Sequence, residues 1–393
     1  MNRQALNRNI TLYYLFKIFR EPLFWGPILI MYLQQAGKMS LSDIYIMEAV
    51  CVTLFIVLEV PTGALADLLG RRTTIFFGCL IAIIEYSVFV LADRPLMIWL
   101  ANIIWVFGAS LVSGADTAFL YDTLAEAGQT HRYQKILGRS RCYQLILIAI
   151  TAIFCGYLVK VDIHLPIFLS LPFIVLNCVF VFFFTEPKRS QNYQAKQHWN
   201  IMKLSVLFVV KNKKVKWIIA FMVLIEIVSK IWFFSYNPYF ELVALPVEYY
   251  GWMFFGMGLV AAVFSFFSEK INRLIPDVAG MLLMVLLLGA PLILMSQLVV
   301  LPMAFLVLAQ SMVRGYYEPF TTYFLHRHIG SHNRATIISI QSAASSLVEF
   351  FALGLFGWLL WQISLANALF MLGLATLAIG GYLLVKYQKI FRH

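Results

Sequence analysis

The stretch Gly63-Ala64-Leu65-Ala66-Asp67-Leu68-Leu69-Gly70-Arg71-Arg72 sets small residues, a carboxylate, a second glycine and two arginines between two long apolar segments. A charged loop this short must reverse the chain between two membrane helices. Gly70 supplies the backbone freedom that the reversal needs, and Asp67 is placed to answer a nearby cation or a helix N-terminus. The stretch therefore predicts a tight, charged, cytoplasmic hairpin.

Working outward, the 393 residues are 61% hydrophobic and 12% charged, against about 25% charged in soluble domains. A crossing takes about 20 apolar residues. Dividing the chain at its charged and Pro/Gly breaks predicts an all-α integral membrane protein of twelve spans: 10–35, 41–66, 73–92, 96–122, 142–159, 165–184, 215–241, 249–268, 278–297, 301–325, 336–361 and 365–387. Lys and Arg gather in the N-terminal segment, in the hairpin at Arg71 and Arg72, around Arg132–Arg141 and in the stretch before Val215. The opposite side holds Lys38, Arg94 and Lys160. Both termini are thus expected in the cytoplasm. The net charge of +11 reads as a basic face against anionic lipid and calls for no nucleic acid. Short outer turns leave no extramembrane domain, no cleavable leader is expected, and the short loops suit a bacterial inner membrane. The five cysteines lie in or at the ends of apolar segments without paired spacing, as small buried residues do.

The only long polar stretch runs from Thr185 to Lys214. It predicts two bundles of six helices, 1–184 and 215–393, joined by a cytoplasmic linker at 185–214. A weak internal repeat agrees: Glu21 and Asp43 match Glu226 and Glu248 at one common offset, Gly114 and Arg132 match Gly315 and Arg334, and Ser268–Arg273 is a decayed copy of the hairpin. Parallel repeats of this kind build rocking transporters around one central site.

Ionisable groups at membrane depth cost at least ~2.5 kcal/mol each, so they face a cavity or pair with one another. Arg20 and Glu21 fall in the first span, and Asp116 falls late in the fourth. Glu226 and Lys230 are four apart in the seventh, in the favourable order for an intrahelical pair. Arg314 and Glu318 repeat that spacing, reversed, in the tenth. Each pair reads either as a structural lock or as part of a substrate site. Arg20 differs, because Glu21 projects about 100° away around the helix; Arg20 needs a distant partner or an anionic ligand. The candidate substrate-binding set is Arg20, Lys230 and Arg314 with the aromatics Trp25, Tyr236 and Tyr317. The candidate proton-coupling acids are Glu21, Asp116, Glu226 and Glu318. Pro22, Pro27, Pro238 and Pro319 would kink helices at similar depth.

The pattern G-x-x-x-D-x-x-G-R-R at 63–72 resembles the loop signature of the major facilitator superfamily of transporters. The run from Glu59 to Asp67, with Ser113-Gly114-Ala115, Ala118–Asp122 and Arg334-Ala335-Thr336, looks like a bacterial branch of that superfamily described as drug-efflux-like or uncharacterised. The resemblance covers essentially the whole chain. It implies a monomer whose first, fourth, seventh and tenth spans line the cavity. It also implies gating by Glu59, Gly63, Asp67, Gly70, Arg71, Arg72 and Asp122, with Asp67, Arg71 and Asp122 as a cytoplasmic charge network that latches the halves.

Two departures weaken the antiporter variant of this family. The fourth-span arginine four residues before a glycine is replaced by Ile104 or Ser110, and the fifth-span glycine-proline signature is missing from Ile153–Tyr157. The expectation is a secondary active transporter that moves a small organic anion or zwitterion by proton-coupled alternating access. A proton-driven efflux antiporter for lipophilic or cationic compounds is the alternative, and a nutrient sensor on a transporter fold is a third reading. No enzyme is expected: the nearest ligand set, His326, His328 and His332, has no acidic or Cys partner. No cofactor or metal is expected, and the partners are the solute, a coupling proton and the bilayer.

Overall fold

The structure, a computed structural model, describes residues 3–21, 23–187, 212–328 and 334–391. Its elements are α1 (Arg3–Phe19), α2 (Leu29–Gln35), α3 (Leu41–Leu69), α4 (Arg71–Val90), α5 (Pro95–Val112), α6 (Ala115–Glu126), α7 (Tyr133–Val161), α8 (Leu165–Phe182), α9 (Lys213–Leu242), α10 (Glu248–Phe266), α11 (Ser268–Leu274), α12 (Asp277–Gln297), α13 (Leu306–His328), α14 (Arg334–Gln362) and α15 (Leu365–Phe391). There is no strand among the described residues. In lipid no water satisfies the backbone, so a spanning chain must close its hydrogen bonds within helices.

Among the described residues, ten helices are long and apolar enough to cross a membrane. The predicted first and tenth segments are not among them, and the reason is local. The first is broken into α1 and α2 after Phe19: Phe24 takes φ 65° and a 3-10 turn follows at Gly26–Ile28. The tenth, α13, carries Gln310, Arg314, Glu318 and Arg327, which lower its hydropathy. Pro22 lies outside the described residues.

The chain forms two compact units. One comprises Met1–Ser40, Val50–Asn192 and Val247–Phe255; the other comprises Leu41–Ala49, Tyr193–Pro246 and Gly256–His393. The opening turns of α3 thus belong with the second unit and those of α10 with the first, which the sequence does not reveal. In the first unit the core runs through Tyr13, Phe16, Ile75, Phe119, Leu124 and Phe184, with Phe119 and Phe184 stacked at 4.3 Å. There α4 and α5 approach closely, because a Cβ on Gly78 would meet the Gly108 carbonyl at 3.0 Å. The second unit uses the same device between α12 and α15, where a Cβ on Gly373 would meet the Gly289 carbonyl at 2.9 Å. Small residues at a crossing let helices pack without a hydrophobic drive between them.

The expected linker opens at Thr185, which is held against α1. Thr185 belongs to the first unit, where its backbone N–H donates to Asn9 Oδ1 at 2.8 Å and its hydroxyl accepts from Arg8 at 2.6 Å. Residues 188–211 lie outside the described residues.

Candidate functional site

In the first unit the break after Phe19 leaves Arg20 at the end of α1. Gly114, at φ +71°, divides α5 from α6 and sets Asp116 in the first turn of α6. Asp116 Oδ2 takes both Lys17 Nζ and Arg20 Nη1 at 2.9 Å, while its Oδ1 accepts the Thr117 N–H at 2.6 Å. Asp116 is 5% exposed and Arg20 28%, so the carboxylate is enclosed and the guanidinium keeps an open side. That guanidinium also lies over the Phe16 ring, 6.0 Å from its centroid. Two cations on one carboxylate leave a local surplus of positive charge. Arg20 does find a distant partner, as its angle to Glu21 requires. Glu21 instead reaches Arg141 at 3.9 Å, with both groups well exposed.

The second unit is built differently. Glu226 and Lys230 are not each other's partner, which corrects the pair expected from their spacing. Glu226 accepts from the Tyr317 hydroxyl at 2.9 Å, from Gln341 Nε2 at 3.0 Å and closely from the Ser345 hydroxyl. All three donors are neutral. Lys230 is held by Glu48 at 2.8 Å and Glu349 at 2.5 Å. Helical periodicity places Glu226 and Lys230 on one face of α9, yet neighbouring helices offer each a better partner. Two carboxylates thus hold one lysine, while a third, Glu226, rests on neutral donors.

Arg314 and Glu318 lie on an exposed face of α13, and the Arg314 guanidinium sits 5.2 Å from the Phe233 centroid. Trp25 and Tyr236 are engaged in packing. Trp25 is buried against Tyr86 and Phe89, and Tyr236 among Trp232, Phe233 and Phe240. Both side chains are buried. The Tyr317 hydroxyl donates to Glu226 and to the Met222 carbonyl.

The hairpin is closed by charge. Asp67 takes Arg71 at 2.7 Å, and Arg71 Nε lies 3.7 Å from Asp122. Gly70 adopts φ +108°, which side chains rarely tolerate. The carboxylate of Glu186 then accepts the backbone N–H groups of Arg71 at 2.7 Å and Arg72 at 2.9 Å, capping α4. Arg72 donates to the Phe182 carbonyl at 2.5 Å. Glu59 is exposed, and a Cβ on Gly63 would meet nothing within 4 Å, so no close approach requires glycine at 63.

Sequence reading missed several of these groups. Gln341, Ser345 and Glu349 recur every four residues along α14, a polar stripe that was legible as a spacing in an otherwise apolar span. Glu48, inside the 41–66 span, was not singled out, and Glu186 falls within the expected linker. Glu85, buried in α4, is another membrane acid that the reading passed over. No group of three or more metal-ligating side chains occurs among the described residues, and His332 lies outside them.

No family model matches the chain. It is similar to an uncharacterized MFS-type transporter, YxaM of Bacillus subtilis, at 22% identity over 85% of this chain and 84% of that one. It is also similar to the multidrug resistance protein MdtH of Proteus mirabilis, at 28% identity over 30% of this chain and 28% of that one. Among solved structures it superposes on the nucleoside transporter NupG with a TM-score of 0.75, at 14% identity and over the full length of both chains. A D-xylose-proton symporter superposes with a TM-score of 0.69, at 13% identity and over 96% of each chain. These relatives and neighbours are transporters, and they share their fold with this chain.

Proposed function

We propose that this membrane transporter of the major facilitator type moves a small organic solute bearing a carboxylate or similar anion, by proton-coupled alternating access. The observation that carries the reading is Asp116 shared between Lys17 and Arg20. Protonation of Asp116 removes the counter-charge, so the open guanidinium can take the anion bidentately. Loss of the proton restores the ion pair and expels the solute. Glu226, with its neutral donors, is a second acid able to hold a proton without losing a cationic partner. The expected twelve spans in two bundles of six, cytoplasmic termini, a bacterial inner membrane and a monomeric state belong to this reading.

Reconstituted liposomes test it. Arg20→Gln is expected to abolish uptake of carboxylate-bearing candidates. Asp116→Asn, a mimic of the protonated state, is expected to keep counterflow while losing accumulation driven by a proton gradient. Unchanged uptake of every anionic candidate by folded Arg20→Gln would sink the proposal. The second reading, efflux of lipophilic cations, is favoured by the acidic surplus of the second unit, where Glu48 and Glu349 share Lys230 and Glu226 has neutral donors alone. It predicts thermal stabilisation by cationic compounds that Glu226→Gln removes.

A further inference from the structure

A cavity of about 340 Å³ opens in the first unit, lined by Tyr14, His131, Arg132, Lys135, Ile136 and Arg139. Its volume falls at the low end for small-ligand sites, which run from about 300 to 1,000 Å³. Lys135 and Arg139 are four apart on α7, and the 3-10 turn Thr130–Arg132 that leads into it adds Arg132 and the imidazole of His131. Among the described residues none of these four side chains is in an ion pair. Arg132 donates to the amide oxygen of Gln129 at 2.6 Å, and Glu21 is drawn to Arg141. Like charges this close repel, and a cleft lined by one sign of charge concentrates counter-ions. The feature is independent of the Lys17–Asp116–Arg20 cluster, which uses other side chains.

The depth of the cleft narrows the ligand. The helical segment from Thr130 to Val161, the 3-10 turn and α7 together, is 32 residues long, whereas a crossing needs about 20. The basic residues occupy the surplus at one end. Beyond them Tyr143, Leu145, Ile146 and Ile150 form an exposed apolar run. The cleft therefore lies at the headgroup level, where the hydrocarbon begins. Arginine forks match phosphate oxygens bidentately, and lysine adds a point charge.

We propose that this cleft binds a phosphate group, held by Arg132, Lys135 and Arg139, from either an anionic lipid headgroup or a soluble phosphorylated solute. The test uses the full chain in nanodiscs, with Lys135→Gln/Arg139→Gln as the disrupting variant. Lys135→Arg/Arg139→Lys serves as the charge-keeping variant that separates binding loss from misfolding. Native mass spectrometry counts phosphatidylglycerol retained in mixed nanodiscs, and thermal shift is read with glycerol phosphate in purely zwitterionic ones. Retention of phosphatidylglycerol that falls about tenfold in the disrupting variant and survives in the charge-keeping one supports the site and assigns it to lipid. A shift with glycerol phosphate that shows the same pattern supports it and assigns a soluble ligand. If neither probe binds, or both bind the two variants and the parent equally, the proposal is overturned.

Discussion

The first unit sets two cations on one carboxylate, whereas the second sets one lysine between two carboxylates and holds a third on neutral donors. The two clusters answer the same membrane penalty with opposite surpluses of charge. In the first unit the surplus lies on an arginine with an open side, which suits an anion. In the second the surplus is acidic, and its lysine is already engaged on both sides. Under the proposed function, Lys230 would serve as a counter-ion and Arg20 as the cation that meets the solute.

The largest effect that would break this comparison is expected at Lys230. Lys230→Met leaves Glu48 and Glu349 without their shared cation, and removing one partner of a buried ion pair costs about 3–5 kcal/mol. Lys230 keeps some exposure, so the low end is expected, read as lowered thermal stability in detergent. Adding Glu349→Gln to that variant should recover part of the loss; failure to recover would mean that the carboxylates do not feel each other.

In the first unit, Asp116→Asn leaves Lys17 and Arg20 facing each other. The expected loss is roughly 1–3 kcal/mol, below that of a fully buried pair because Arg20 is partly solvated. Anionic candidates should stabilise this variant more than the parent, since the competing carboxylate is gone. A smaller ligand shift than in the parent would show that Asp116 itself contacts the solute.

Smaller still is Glu186→Gln, which keeps the shape but removes the charge that caps α4. Cap losses run to about 1 kcal/mol, measurable as a shift in denaturant midpoint. Smallest is Glu21→Gln: its contact with Arg141 is long and exposed, and such pairs contribute less than about 0.5 kcal/mol. Neither stability nor proton-driven uptake should change measurably. A strong uptake defect would return Glu21 to the proton-carrying set.

The hairpin at 63–72 and the apolar segments were legible because hydropathy and turn chemistry are local. The positive φ at Gly70 and the Asp67–Arg71 contact follow from residues within one turn of each other. The four-residue stripe of α14 was equally local and was passed over because two of its members, Gln341 and Ser345, carry no charge. Partner choice was not legible. The spacing of Glu226 and Lys230 suggests a pair, and the intrahelical contact is weak beside those offered by neighbouring helices.

The sequence by itself determined that the chain is helical, that it spans a membrane repeatedly, and which spans carry charge, since each depends on composition within about twenty residues. Tertiary structure alone decided that Asp116 meets Lys17 and Arg20 from nearly a hundred residues away. It alone decided that Glu48 joins Lys230 and that Trp25 and Tyr236 are core. A helix face fixes the direction of a side chain, and only packing fixes what stands there to meet it.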